Sequence, residues 1–316
     1  MSIKYVDVSV KGRFLKFPCL EMKNLSIIVV GKWLKKALIK DEDWIEIKDN
    51  INPDSLIGEI KKNDLKADLF IFSQKLPDIK PKFDYYHEWK NIAAIPISKY
   101  EYWWNGLPQV TRKNVRRSER KGVSIKKVDF NDDLINDIIR VNNSSQVRQG
   151  RRFTHYGKKF NQVKMDYSAF IERSDYLAAY FQEKLIGFLR LIYIGQIASV
   201  MQLLCMPQYY DKRPANALIA KAVDLCADKG IRYLTYGQLV YNRNEWNQMV
   251  EFKRRNGFRE IYLPVYYIPL SLKGKIAISL GIHRGLKYFI PIPLQKSYYW
   301  LRKVLYEKFE KIGNRP

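Results

Sequence analysis

The sequence predicts a mixed α/β (α+β) fold, a mainly antiparallel sheet flanked by helices. Three observations predict it. Apolar runs of strand length, such as LSIIVVG (25–31) and ADLFIFSQ (67–74), alternate with amphipathic helical stretches. A longer apolar block, Leu185 to Met206, is broken at its centre by Gly195-Gln196 and carries Arg190. Hydrophobic residues make up 47% of the 316, enough for a sizeable core.

Taken in order, 25–100 reads as a small α/β unit. LSIIVVG is a buried strand, DSLIGEIKKN a short helix, ADLFIFSQ a second strand and NIAAIPIS a third. Pro77, Pro81 and Pro96 punctuate it. Pro108 near a helix start and Gly122 at its end frame the next helix. From Arg112 to Lys127 there are eight Lys/Arg against the single Glu119, which suits either a solvated face or one turned to phosphate or membrane. A helix over Asp132–Gln146 follows. A basic, glycine-broken stretch comes next, with six Lys/Arg and no acid between Arg148 and Lys164. Such loops often carry site residues.

The block 185–206 is long enough to imitate a membrane span. A mid-span arginine is costly in lipid, so strands at 175–182, 185–194 and 197–206 explain it better. A helix from Pro214 to Lys229 carries a core stripe of Leu218, Ile219, Ala222, Leu225 and Cys226. The strand IRYLTYG, a helix over Glu245–Asn256 and strands across 258–270 complete the order. The tail, 271–316, has ten Lys/Arg and two Glu. Leu301, Leu305, Phe309 and Ile312 share one helical face there. The segment 296–312 therefore reads as an amphipathic helix on anionic lipid, or as one docked on the protein's own core. The expected organisation is 1–130, 131–270 and 271–316.

The net charge of +24 draws the chain to polyanions, whether nucleic acid, anionic lipid or phosphate-bearing substrates, unless it reflects a plain bias toward Lys. Cys19, Cys205 and Cys226 show no paired spacing and suit reduced, buried thiols in a cytoplasmic protein. The N-terminus has no apolar core of a signal peptide. His87, His155 and His283 are scattered, and no metal-ligand spacing occurs, so no metal is expected. Nucleotide-binding glycine loops and a nucleophile elbow are also lacking.

Two motifs remain. DKRPANALIAKAV places Lys212, Arg213, Pro214, Ala215 and Asn216 at a helix N-terminus, where amide groups and the helix dipole suit an anion. YGQLVYNRNEWNQMVEFKRRNGF runs from a strand into a helix ended by Asn256-Gly257. Trp246, Met249, Val250 and Lys253 share its apolar face, so Lys253 either snorkels or points into a cleft. Arg190 and Gln202 are polar groups on apolar strands and need partners or a cavity. His155, beside Tyr156, is either a base or an exposed loop residue.

This order of elements resembles the GNAT acyltransferase superfamily. RKNVRRSERKGVSI and FKRRNGF are similar to its Fem-like branch, which includes the peptidyltransferases of cell-wall cross-bridges. The resemblance covers roughly 100–270, and 25–100 as well if that unit is a degenerate first half. It implies transfer of an acyl group from acyl-coenzyme A to an amine or hydroxyl acceptor, such as a lipid-linked sugar at the inner membrane face. Aminoacyl-tRNA as donor is the alternative, and a non-enzymatic adaptor for membrane or nucleic acid is the second. The superfamily's glycine-rich pyrophosphate loop is missing from YYDKRPANAL, and its general-acid Tyr falls on Lys253. The resemblance thus puts Lys253 and Tyr236 at the chemistry and Lys212–Asn216 at the donor. Arg148, Gln149, His155, Tyr156, Arg190 and Gln202 fall on the acceptor side.

Overall fold

A computed structural model describes residues 3–10, 13–22, 25–44, 52–148, 151–240, 248–285, 289–291, 294 and 297. In chain order the first elements are β1 (Lys4–Val10), β2 (Arg13–Glu21), β3 (Ser26–Val30), β4 (Lys36–Ile39), α1 (Pro53–Lys62), β5 (Leu69–Ser73) and β6 (His87–Pro96). Then come α2 (Tyr100–Gly106), α3 (Gln109–Arg120), β7 (Val123–Val128), α4 (Asp132–Asn143), the short pair β8 (Val147–Arg148) and β9 (Arg151–Arg152), and α5 (Phe160–Ser168). The last are β10 (Ser174–Phe181), β11 (Lys184–Ile194), β12 (Ile197–Cys205), α6 (Pro214–Asp228), β13 (Tyr233–Thr235), α7 (Gln248–Arg255), β14 (Arg259–Pro269) and α8 (Leu272–Ser279).

The expected strands and helices form close to their predicted ends. The apolar block 185–206 is two antiparallel strands, with Gly195-Gln196 as the turn between Ile194 and Ile197. Residues 258–270 make one long strand, not several. The β1–β2 hairpin, β4, β7, α5 and α8 were not foreseen. The amphipathic helix expected over 296–312 falls, except for Ser297, outside the described residues, as do Trp246 and Gln149.

Two compact units share the chain, one of residues 1–90 with 262–294 and one of residues 91–261 with 295–316. In the first, the strand order is β1-β2-β3-β4-β5-β14, antiparallel except for the parallel pair β4–β5. In the second, it is β6-β13-β12-β11-β10-β7, antiparallel except for the parallel pair β12–β13. Each parallel pair is three residues long, and each is joined by a crossover that contains a helix, α1 or α6. The same strand plan therefore occurs twice.

Local chemistry sets the helix ends. Asn52 caps α1 by accepting from Asp54 N, with Pro53 in the first turn. Asn131 caps α4 by accepting from Leu134 N at 2.9 Å. In the first unit, α1 packs Leu56 and Ile60 on Ile27, Val29, Phe70 and Phe72, and the Phe72 ring stacks on Tyr266 at 4.9 Å. In the second unit the sheet is covered on both faces. Leu218, Ile219 and Ala222 of α6 meet Leu189, Leu191 and Ala198, while Ile135 and Ile138 of α4 and Val163 of α5 meet Tyr176, Ala178 and Phe188. Strand alternation sends Leu177 and Ala179 one way and Tyr176 and Ala178 the other. Each fully buried Leu or Ile contributes about 1.5–3 kcal/mol.

Gly257 ends α7 at φ +87°, and a Cβ there would meet Trp103 Nε1 at 2.7 Å. Trp103 in turn donates to Asn256 O. Gly257→Ala is expected to cost about 2 kcal/mol, from positive φ plus displacement of a buried indole. A urea midpoint unchanged from the parent would show that the indole has room to shift.

Candidate active site

In the second unit, β12 and β13 pair only at Ile197–Tyr233, Ala198–Leu234 and Ser199–Thr235. On its other side β12 is paired to β11 through its last residue, Cys205, but the register slips between Arg190–Gln202 and Leu191–Val200, so Met201 is an extra residue. A bulge bends the strand that carries it. β12 thus leaves β13 at the bulge, and among the described residues no strand pairs with Met201–Cys205 on the side β13 has vacated. On the far side the chain after β13 continues along β6, with Tyr236 N donating to Ala93 O and Ala93 N to Gly237 O. The result is a wedge between two strands, edged by backbone amides.

Tyr236 and Lys253 meet at this wedge. Lys253, on α7, is only 1% exposed. Its ammonium donates to Tyr236 O at 2.6 Å and Gln238 O at 2.7 Å, and lies 4.3 Å from the centre of the Tyr236 ring. Lys253 does not snorkel: the charge ends in the interior, under the turn that follows β13. Burial pulls its pKa down to about 8. The Tyr236 ring also packs on Phe258 at 5.9 Å.

The donor-side motif is placed where β12 feeds α6 through the 3-10 turn Pro207–Lys212. Few amides are free there. Pro214 has no N–H, and the Asn216 and Ala217 amides both donate to Arg213 O, which leaves Ala215 N–H in the first turn. The Asn216 side chain donates to Asn256 Oδ1 at 3.0 Å, tying α6 to the end of α7. Arg213 sits at φ +58°, and the Lys212 ammonium lies 4.1 Å from the Phe181 ring centre. What the entrance does offer is charge. Lys121 at the end of α3 pairs with Asp211 at 2.7 Å. That hydrogen bond, then the charges of Lys121, Lys212 and Arg117, hold the Asp211 carboxyl below its usual range. Along α3, Lys113, Arg116, Arg117 and Arg120 are exposed and make no ion pair among the described residues.

The acceptor-side residues divide. Arg190 and Gln202 are register partners. Arg190 is buried with no carboxylate, and its guanidinium donates to Asp166 O, Ala169 O and Ser174 Oγ. Desolvation lowers its pKa. Beside it Tyr167 is fully buried, its hydroxyl pushed up by burial, with Asn142 and Gln202 close by but out of hydrogen-bonding geometry. Among the described residues, Asn142 Oδ1 and Nδ2, Tyr167 OH, Arg190 Nε and Gln202 Oε1 have no hydrogen-bond partner. His155 is half-buried, 3.6 Å from Asp166, with its ring edge-on to Tyr167; burial and then Lys158 push its pKa down, which favours the neutral imidazole. Arg148 is spent on Cys205 O, Val141 O and Ser144 Oγ, and Tyr156 is exposed.

The structure thus brings together Lys253 with Tyr236, and Arg190 with Gln202 and His155. It adds Asn142, Asp166 and Tyr167, which sequence reasoning missed. Asn142 left a signal, as a polar residue on the apolar stripe Leu134, Ile135, Ile138 and Val141 of α4. The cysteines are buried and unpaired, and burial pushes the Cys205 and Cys226 thiols up to about 12, far from a nucleophile's range. Among the described residues no group of three His, Cys, Asp or Glu is arranged to hold a metal, and no helix is long and apolar enough to cross a membrane.

No family model matches the sequence, and no curated protein matches it. Solved structures do. FemX is similar at a TM-score of 0.57 with 9% identity, over 87% of this chain and 89% of that one. The C-terminal domain of a protein described as a lysylphosphatidylglycerol synthetase from Agrobacterium fabrum is similar at 0.55 with 12% identity, over 83% and 87%. L-PGS from Bacillus licheniformis is similar at 0.52 with 13% identity, over 81% and 85%. The chain shares the fold of these three structures, the Fem-like fold that the motifs implied.

Burying the Lys253 ammonium yields a pH dependence of defined sign. Its folded pKa, about 8, lies below the ordinary 10.5. Between those values the unfolded chain binds the proton and the folded chain does not, so this residue's contribution to stability rises with pH from 8 to 10.5 and is flat below. Lys253→Met is expected to remove that rise from the unfolding free energy measured across the interval. A rise of equal size in the variant would assign it to other groups.

Proposed function

We propose that the chain is an acyl or aminoacyl transferase, with the chemistry in residues 91–261. The single observation that carries this is the wedge between β12 and β13, with a buried ammonium beneath one wall and unpaired strand amides along the other. An extended donor can lie along the amides of 201–204 and present its carbonyl at the mouth. The acceptor nitrogen or oxygen attacks the carbonyl carbon and a tetrahedral oxyanion forms. Collapse breaks the bond to the donor's leaving oxygen or sulfur, which takes the acceptor's proton. Amide dipoles and a fixed cation in a dry site stabilise that oxyanion without reorganising, and holding both reactants supplies much of the acceleration. Lys253 sets the positive potential and fixes the carbonyls of Tyr236 and Gln238, while the Tyr236 ring packs over the ammonium.

The donor's carrier is a polyanion in this reading. The amides at the start of α6 are mostly spent, which removes the close backbone cradle expected for the pyrophosphate of coenzyme A. The cations of α3 with Lys121 and Lys212 suit a longer run of phosphates, and this favours aminoacyl-tRNA over acyl-coenzyme A. A similar fold in a protein named for lysylphosphatidylglycerol supports an aminoacyl group and a lipid-borne acceptor. The buried Arg190, Gln202, Tyr167 and Asn142 group, with His155 as a neutral base, serves the acceptor side.

Two measurements test this. Lys253→Met is expected to lower kcat about 10²-fold, the scale of losing one oxyanion donor, with the fold intact. Normal turnover in the variant would reduce Lys253 to a structural tie. In a thermal-shift and filter-binding panel, tRNA is expected to bind with strong salt dependence, weakened by Arg116→Ala/Arg117→Ala/Arg120→Ala, while acetyl-coenzyme A has little effect. Saturable stabilisation by acetyl-coenzyme A that Lys212→Ala/Arg213→Ala abolishes, with tRNA inert, would restore the thioester donor.

A further inference from the structure

The helix α8 is apolar on both sides. Its inner side is anchored: Gly274 approaches Asp68 O so closely that a Cβ would lie 2.0 Å from it, and Ala277 is buried with Leu34 and Leu69. Ser271 caps it, donating to Asp68 Oδ1 and accepting from Gly274 N. This first part of the basic tail is therefore docked on its own unit. Its outer side is exposed among the described residues. Leu272 is 73% exposed, Ile276 50% and Leu280 61%, at i, i+4 and i+8 on one stripe. A contiguous exposed apolar stripe of this kind marks a site of interaction with protein or membrane.

Trp33 extends the stripe. It is 61% exposed and held against α8 by Lys273, whose ammonium donates to Trp33 O and lies 4.9 Å from the ring centre. A rim of cations surrounds these side chains. Lys32, Lys35 and Lys275 are exposed, and among the described residues no acid pairs with them; the nearby Asp68 is paired with Lys273. An apolar stripe with an interfacial tryptophan and a lysine rim matches an anionic bilayer, which takes the aliphatic side chains below its headgroups and the lysines among its phosphates.

We propose that the first unit docks on the surface of an anionic lipid bilayer through Trp33, Leu272, Ile276 and Leu280, with Lys32, Lys35, Lys273 and Lys275 among the headgroups. The residues of this site precede 296–312 in the chain, and the proposal does not depend on the transfer chemistry proposed above. It would hold the enzyme at a surface where a lipid-borne acceptor resides.

The test is flotation of the full-length protein with vesicles of phosphatidylglycerol and phosphatidylcholine, against phosphatidylcholine alone, at low and high salt. Binding is expected only to the anionic vesicles and to fade with salt. Ile276→Gln/Leu280→Gln is expected to abolish flotation at the parent's melting temperature, because both side chains are half or more exposed among the described residues. Lys32→Gln/Lys275→Gln is expected to weaken it about fivefold per lysine. Brominated lipid is expected to quench the parent more than Trp33→Phe. Flotation of both double variants at the parent's level would move attachment elsewhere and overturn the proposal, as would failure of the parent to bind at low salt. A parent that is dimeric in light scattering without vesicles, and monomeric as Ile276→Gln/Leu280→Gln, would assign the face to a second copy instead.

Discussion

The second unit is organised around a parallel strand pair that stops after three residues. A parallel pair needs a crossover, and α6 provides it between Cys205 and Tyr233. Once the bulge at Met201 turns β12 away, the backbone beyond Ser199 and Thr235 has lost its ladder partner. Buried carbonyls without partners are costly. On the β13 side the carbonyls of Tyr236 and Gln238 are met by the Lys253 ammonium. Charge-assisted bonds are stronger than neutral ones, and they offset part of the cost of taking an ammonium out of water. The charge that repairs the broken ladder thus lies buried beneath the β13 side of the wedge.

The first unit shows what happens when that opening is not kept. β4 and β5 also pair over three residues, Lys36–Leu69 to Leu38–Ile71. Here Glu42, just past β4, sends its carboxylate to Ser73 N at 2.6 Å, and burial pushes its pKa up to about 7. The start of α1 is closed too. Asn52 takes the Asp54 amide, and the Asp54 carboxylate accepts from Tyr85 OH. A carboxylate in the first turn repels a phosphate. α6 has no side-chain cap and stands beside Lys212 and Lys121. One strand plan has thus become a self-filled scaffold in one unit and an open, cationic site in the other.

The net charge of +24 is spread unevenly over these roles. Part is consumed structurally: Lys36 donates to His283 O, Arg148 to three groups, and Arg190 to carbonyls in the core. Two clusters of exposed cations with no ion pair among the described residues lie on α3 and around α8. Those two clusters differ in their apolar neighbours. α3 shows cations along an exposed face and suits a solvated polyanion. α8 sets its lysines around aliphatic side chains and a tryptophan, and suits an interface with an apolar interior.

Much of the fold was legible in the residues. Strand-length apolar runs, Pro108 and Gly122 around α3, and the Gly195-Gln196 break marked elements that formed nearly where expected, because local propensity and burial agreed there. Short, edge or polar segments escaped. β4 is four residues long, and α8 reads as a continuation of a basic tail. The sequence by itself determined the chain order of elements from β10 to α7, the cationic character of the second unit and the placing of Lys253 on an apolar helix face. Only the tertiary structure decided what that lysine touches, that Asn216 is tied to Asn256, that the α6 amides are largely spent, and that Asn142 and Tyr167 join Arg190 and Gln202. Each of those is a contact between residues distant in the chain, set by where β12 bends and how α4, α5 and α7 pack. Periodicity reports which face of an element is buried, but not which polar group waits on the other side.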